Sequence, residues 1–351
     1  MLSNLKKNLE KNPVEVSAPC RIDMGGSLDI DTFSYPLSYL HPCTFNIALD
    51  LRTHVSLLPY KEGRLKVTSK GFKSADYSPD RAPFNHPLGL MFAIAAYFRA
   101  EGVHIIINSS SPPKSALGGS SAAAVALVAA FLMASEKKAL TLKFKKRITL
   151  LAHAIEESVA GVPCGRQDQL AAAFGGVNAW HWRAGSSGSV FRKETVVNKS
   201  YFNKLEKHLL LAYCGRPHES KNINGLWISQ FLSGRYRKHW KEIVKNTKMF
   251  IDALGVKNYK KAAVAMNKEM DIRNKMTPEV LDGMGKKLVE SAVKNNCGAR
   301  FTGAGGGGCI WALGEIDEID RLKLTWEKFL TAKKKACLLD VKIDSTGLLQ
   351  V

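Results

Sequence analysis

Acidic residues are scarce in this chain. Against 51 lysines and arginines stand 31 aspartates and glutamates in 351 residues, a formal charge of +20. Paired cysteines are missing as well: Cys20, Cys43, Cys164, Cys214, Cys297, Cys309 and Cys337 never fall in C-x-x-C spacing, which excludes a zinc knuckle and a thioredoxin-type motif. Most of them read as buried small hydrophobes kept reduced. No apolar run reaches membrane length. The longest, Ala122 to Ala134, is mostly alanine and well short of the roughly 20 residues a spanning helix needs. The opening stretch, MLSNLKKNLEKNPVEV, has no apolar signal-peptide core, so the expectation is a soluble cytoplasmic protein with no membrane partner. Internal repeats and low-complexity segments are also lacking. With 45% hydrophobic and 23% charged residues, disordered, collagenous and coiled-coil classes are set aside. The length suits two domains or one large one.

The positive excess invites a nucleic-acid reading, which the distribution of charge does not support. Lys6-Lys7, Lys145-Lys146-Arg147, Lys260-Lys261, Lys286-Lys287 and Lys333-Lys334-Lys335 fall mostly on amphipathic helical stretches. No recognition helix or aromatic-interleaved basic strand accompanies them. The charge reads as a solvated exterior that favours anionic substrates, and no nucleic-acid partner is expected. Nothing in the sequence sets an oligomeric state.

Strand patterns cover Val14–Ala18, Thr44–Leu49, His54–Leu58, Leu65–Ser69 and Val103–Asn108, and helical ones Leu88–Ala100, Ser120–Ser135 and Phe144–Ser158. Gly185-Ser-Ser-Gly-Ser189 punctuates the middle of the chain. Beyond it come a strand at Leu209–Cys214, several helices between Asn222 and Asn296, a strand pair flanking a glycine run, and a strand-like segment from Ala336 to Ile343. Strands and helices mix in both halves. The class is α+β with two lobes, 1–195 and 196–351, the boundary lying near residues 185–205.

Three segments carry chemistry. In Ser111-Pro-Pro-Lys-Ser-Ala-Leu-Gly-Gly-Ser-Ser-Ala122, Gly118 and Gly119 admit a close ligand and Ser120 and Ser121 open an alanine-rich helix. Free amides and the positive dipole end make such a terminus an anion site, and a serine there can ligate Mg²⁺. A serine-capped helix after a proline turn is the plain alternative. The second segment places Glu156 on a helix and Asp168 after a Pro/Gly turn, where one carboxylate can hold a metal and the other a hydroxyl nucleophile. An N-cap at Asp168 and a solvated Glu156 are the alternatives. The third, Phe301-Thr-Gly-Ala-Gly-Gly-Gly-Gly-Cys309, contains G-x-G-x-x-G but follows a helix and precedes a strand, so the dinucleotide-binding reading fails on context.

Together these segments resemble the GHMP kinases, the galactokinase, homoserine, mevalonate and phosphomevalonate kinase superfamily. Its first motif resembles Ala18-Pro-Cys-Arg21-Ile-Asp-Met-Gly-Gly-Ser-Leu-Asp29, its phosphate loop Pro112 to Ala122, and its third motif Thr302 to Cys309. Val162 to Gln169 resembles the segment around the catalytic aspartate of sugar kinases. Its Pro-Cys-Gly is like galactokinases, while Gln-Asp-Gln and the four-glycine run are more like heptose 7-phosphate and fucose kinases. The resemblance implies a β/α N-terminal lobe, a ferredoxin-like C-terminal lobe, and Mg-ATP-dependent phosphorylation of a sugar hydroxyl, most often the anomeric one.

The implied roles follow residue by residue. Asp168 would orient or deprotonate the hydroxyl, with Arg21 between it and the transferring phosphate. Ser121 and Glu156 would hold Mg²⁺. Pro113, Leu117, Gly118, Gly119, Ser120, Ser121 and Ala122 would form the ATP phosphate loop, and Gly305, Gly306 and Gly307 would pack under phosphates and sugar. Cys20 stands where the family often has glycine. The stretch after Arg21 is one residue shorter than in related sugar kinases, so the sugar-binding aspartate corresponds to Asp29 or Asp31, with Asp29 preferred because it follows the Gly-Gly-Ser-Leu turn. His218 reads as a surface residue, and the adenine pocket is expected within residues 59–85. A kinase of an already phosphorylated sugar is the rival within the enzyme class. A sugar- or ATP-sensing protein is the rival outside it, disfavoured by the presence of Asp168, Arg21 and Ser121.

Overall fold

The computed structural model describes residues 5–136, 139–161, 163–184, 189–217 and 220–351, so His218 and the Gly185–Gly188 punctuation lie outside the described residues. A short helix, α1 (Leu5–Lys11), leads into strand β1 (Val14–Met24), buried from Val16 onward. After α2 (Asp31–Ser34), β2 (Cys43–Pro59) runs 17 residues unbroken where the sequence pattern shows two strands. The interruption is real but local. Pro19 pairs with Arg52 and Cys20 with Leu49, leaving Asp50 and Leu51 without partners on β1, a bulge where proline has no N–H to contribute.

Next come β3 (Leu65–Ser69), β4 (Ala75–Tyr77), α3 (Gly89–Tyr97), β5 (Val103–Ser109), α4 (Gly119–Glu136), α5 (Leu142–Ala160), α6 (Gln167–Phe174), β6 (Val177–Trp182) and β7 (Phe191–Val197). These strands form one sheet in which β1, β2, β5, β3 and β4 lie side by side. Strand β2 is long enough that Cys43–Ile47 pairs with β6 while Thr53–Pro59 pairs with β5. Among the described residues only β3 and β5 pair in parallel. Helix α4 is apolar on every side and, among the described helices, long and apolar enough to cross a membrane. It lies in the core instead, every residue from Ser121 to Ala134 buried, because alanines let it settle close on β1 and β2.

The second half contributes α7 (Phe202–Leu205), β8 (Leu209–Tyr213), α8 (Ser220–Leu232), α9 (Arg237–Gly255), α10 (Tyr259–Met276), α11 (Gly283–Lys294), β9 (Gly298–Phe301), β10 (Cys309–Leu313), α12 (Ile316–Leu330), β11 (Cys337–Leu338) and β12 (Leu349–Gln350). Its antiparallel sheet has the order β11-β8-β10-β9, with α10, α11 and α12 packed on it. Strand β12 returns to pair with β1, so the last residues of the chain complete the first sheet. The α+β class is what the structure shows.

Candidate active site

Past the bulge, β1 is tied to the loop that follows β5: the amide of Arg21 donates to the carbonyl of Leu117 at 2.9 Å. The Arg21 side chain then grips Asp168 with two parallel bonds, Nε to Oδ1 and Nη2 to Oδ2, both 2.8 Å, and Nη1 donates to the Ala116 carbonyl at 2.6 Å. Such a fork fixes both groups in plane. Asp168 sits in the first turn of α6 but caps nothing; the N-cap position is Arg166, without a side-chain cap. The capping alternative is therefore not realised, and the carboxylate faces the cavity.

The loop from Ser111 to Gly118 is held in an unusual conformation. Lys114, Ala116 and Gly118 all have left-handed backbones, with φ of 54°, 63° and 74°. Alternation of this kind makes the amide-lined concavities that bind anions, and non-glycine residues stay there only when their surroundings hold them. Arg21 holds the loop from one side and the third motif from the other. A Cβ at Gly308 would lie 2.6 Å from the Ser115 carbonyl, so only glycine lets the two loops meet. The loop runs directly into α4, whose first-turn amides lack helical acceptors.

Ser121, on that first turn, donates to Glu156 Oε2 at 2.9 Å, and Gln169 donates to the same oxygen at 2.7 Å. Burial pushes the Glu156 carboxyl up to about 7, against the lowering effect of the Ser121 bond. A hydroxyl and a buried carboxylate side by side beneath a helix N-terminus fit a hard divalent cation, whose charge would offset the carboxylate's desolvation.

The remaining acidic residues separate cleanly. Asp29 is 2% exposed and lines the cavity. Its Oδ2 accepts from the Gln167 amide at 2.9 Å, Oδ1 has no partner among the described residues, and burial raises its carboxyl to about 6. Gly165 presses on it so closely that a Cβ would fall 1.8 Å from the carboxylate. Asp31 instead forms a forked pair with Arg166 at 2.7 and 2.8 Å and does not line the cavity.

One cavity of about 710 Å³ joins Arg21, Asp29, Pro113, Gly118, Gly119, Ser120, Ser121, Glu156 and Asp168. Leu117 and Ala122 are buried behind it as packing residues. Gly305, Gly306 and Gly307, expected under the ligand, face elsewhere: their nearest neighbours are Val280, Ile223 and Pro217, and Gly303 and Ala304 form the wall. The reason is spatial. The run meets the phosphate loop at its two ends, Gly303 against Ala116 and Gly308 against Ser115, while the three glycines between them bow away. Sequence reading assigned no role to Ser27, Gln167 and Asn224, which also lie in the wall; the first two fall inside segments already singled out, and no local signal marks Asn224. At the other side the wall is Ser69, Lys70, Phe72, Leu88, Met91 and Ile107, drawn from β3, α3, β5 and the loops beside them.

Residues 85–176 match the family model of the GHMP kinases N terminal domain. A protein of Arabidopsis thaliana described as probable glucuronokinase 2 is 28% identical over 175 residues, 47% of this chain and 45% of that protein. The chain therefore aligns with less than half the length of this curated relative. Among solved structures, Lactococcus lactis galactokinase complexed with galactose superposes with a TM-score of 0.72 at 16% identity, with both chains fully covered. A D-glycero-D-manno-heptose 1-phosphate kinase from Bacteroides thetaiotaomicron gives 0.68 at 16% identity, covering 96% of this chain and 98% of that one. At these identities the likeness to the structures is one of fold.

Proposed function

We propose that this chain, a GHMP kinase in its matched N-terminal domain and in its fold, is an ATP-dependent sugar kinase that phosphorylates a sugar hydroxyl, the anomeric one as in a galactokinase. The observation that carries the reading is the convergence of the Arg21–Asp168 fork, the strained phosphate loop and the Ser121–Glu156 pair on one cavity. Asp168 accepts the proton of the sugar hydroxyl as that oxygen forms its bond to the γ-phosphorus, and the bond to the β–γ bridging oxygen breaks to release ADP. Arg21 holds Asp168 in line and places a positive charge beside the transferring group. Amides of Gly118 to Ser121 take the phosphate oxygens. Ser121 and Glu156 would hold Mg²⁺, which supplies charge neutralisation on the phosphates. Positioning and electrostatics of this kind suffice for phosphoryl transfer.

The adenine is assigned to the wall of Phe72, Leu88, Met91 and Ile107, partly within the expected 59–85 stretch. Asp29, with its unpartnered oxygen, takes a hydroxyl of the sugar. This acceptor side carries a carboxylate, and Arg21 and Arg166 are both engaged by forked aspartates. That arrangement favours a neutral sugar over a heptose 7-phosphate or a sugar acid. A cytoplasmic setting fits ATP as donor, and the division near residue 195 separates the lobe that binds it from the one that closes the cavity.

The test is ADP release from Mg-ATP against galactose, fucose, mannose, glucuronate and heptoses with and without a 7-phosphate, with Asp168→Asn alongside. Turnover on one neutral sugar that collapses in the variant supports the reading. Binding of ATP and sugar without turnover would favour the sensor.

A further inference from the structure

The Arg21–Asp168 fork is the near end of a longer row of charges. On the side of Arg21 away from the cavity, Nη1 lies 3.5 Å from Asp23 Oδ1. That same oxygen accepts the Gly303 amide at 2.7 Å, and Asp23 Oδ2 accepts from Arg300 Nη1 at 3.1 Å. Arg300 Nε donates to Glu269 Oε2 at 3.2 Å, and Glu269 Oε1 accepts from Arg273 Nε at 2.9 Å. Arg273 Nη2 ends the row on the Gly26 carbonyl at 2.5 Å, its guanidinium set against the rings of Trp227 and Trp240 at 4.5 and 4.8 Å. Six charges thus alternate in sign, starting at the cavity on α6 and β1, crossing to β9, and ending on α10. Asp23, Glu269, Arg273 and Arg300 are all fully buried.

Burying four charges is costly, and apolar residues of the same volume are often at least as stabilising. The geometry shows what the row can do instead. Arg21 stands between two carboxylates, Asp168 facing the cavity and Asp23 facing the core. Asp23 in turn stands between two guanidiniums. As long as Arg300 supplies Asp23 with a cation, Arg21 is free to lie square on Asp168. Were Arg300 lost, Arg21 would be the nearest compensation for a fully buried carboxylate and would tilt toward it.

We infer that Arg300, oriented by Glu269, is a positioning residue: by satisfying Asp23 it keeps Arg21 on Asp168 and keeps the Gly303 amide beside the phosphate loop. This rests on the kinase reading and adds to it a contribution from the second sheet that touches neither substrate.

The test is the double variant Arg300→Met with Glu269→Gln. It leaves the buried net charge unchanged, and Arg273, which loses its carboxylate, keeps an amide oxygen in its place together with the Gly26 carbonyl and the Trp227 and Trp240 rings. Wild-type turnover on the sugar panel tests the kinase reading by itself. Given it, the double variant is expected to lose about 10- to 100-fold in kcat, as a small misplacement of a reacting group does, with KM for ATP and sugar held within about 2-fold and the melting temperature retained. A kcat within about 2-fold of wild type would overturn the inference, as would a joint collapse of kcat, both KM values and melting temperature. A readout independent of turnover is the Nε–H proton resonance of Arg21, assigned with Arg21→Lys. It should move upfield in the double variant as the bond to Asp168 loosens, and an unmoved resonance would overturn the inference even in a protein with no turnover.

Discussion

The two ends of the cavity are built from different materials. The end proposed to hold the phosphates is largely backbone: the loop from Ser111 to Gly118, the opening turn of α4, and the glycines that press against them. The end proposed to take the acceptor is mostly side chain, with Asp168 held by the Arg21 fork and Asp29 by the Gln167 amide. A backbone site recognises any phosphate and tolerates side-chain change so long as the chain path survives. A side-chain site is selective, and each of its groups matters individually.

The sharpest way to break this comparison is Asp168→Asn. It removes one carboxylate without moving the backbone, and kcat should fall by roughly 10²- to 10⁴-fold while ATP binding measured by calorimetry is kept. An equal loss of ATP affinity would show that the two ends are not separable. At the phosphate end the corresponding change is Gly308→Ala. Its φ of 82° and the 2.6 Å approach to Ser115 make any Cβ push the loop outward. The expected result is a rise of about 10-fold in KM for ATP and a loss of about 1–3 kcal/mol in stability, read by denaturant unfolding. An unchanged KM would mean that the loop's path is set without the third motif.

A smaller effect is expected from Ser121→Ala, because Glu156 and the helix amides remain. The Mg²⁺ concentration giving half-maximal turnover should rise about 10-fold with little change in KM for sugar. The smallest concerns pH. The buried Asp29 holds its proton to about 6 in the folded protein, above the ordinary aspartate value of 3.8. The unfolded chain therefore releases that proton first as pH rises. The stability associated with the protonated form is fully present below about pH 4 and is lost as pH rises through 6. Melting temperature without substrate should fall over that window by a few degrees, and Asp29→Asn should flatten the fall. Identical profiles for the two proteins would place the titration elsewhere.

Much of the phosphate end is legible before folding because it is local. Pro112 to Ala122 is contiguous, its prolines and glycines dictate a turn, and the alanine run dictates a buried helix. Helices α4 and α5 and strands β3 and β5 sit close to where their periodicity puts them. Strand β7 is not evident, because as an edge strand it shows no clean alternation of buried and exposed residues. Strand β2 reads as two because its bulge interrupts the pattern.

By itself the sequence determined the class, the glycine turn that opens α4, and the four residues, Arg21, Ser121, Glu156 and Asp168, on which the proposed transfer chemistry rests. Only the tertiary structure decided that Asp29 faces the cavity while Asp31 is taken by Arg166. It alone turned Gly305 to Gly307 away from the cavity and strung Asp23, Arg300, Glu269 and Arg273 behind Arg21. Backbone conformation is set by near neighbours along the chain, whereas the pairing of a buried charge is set by whichever opposite charge the packing brings within about 3 Å, and that partner can be hundreds of residues away.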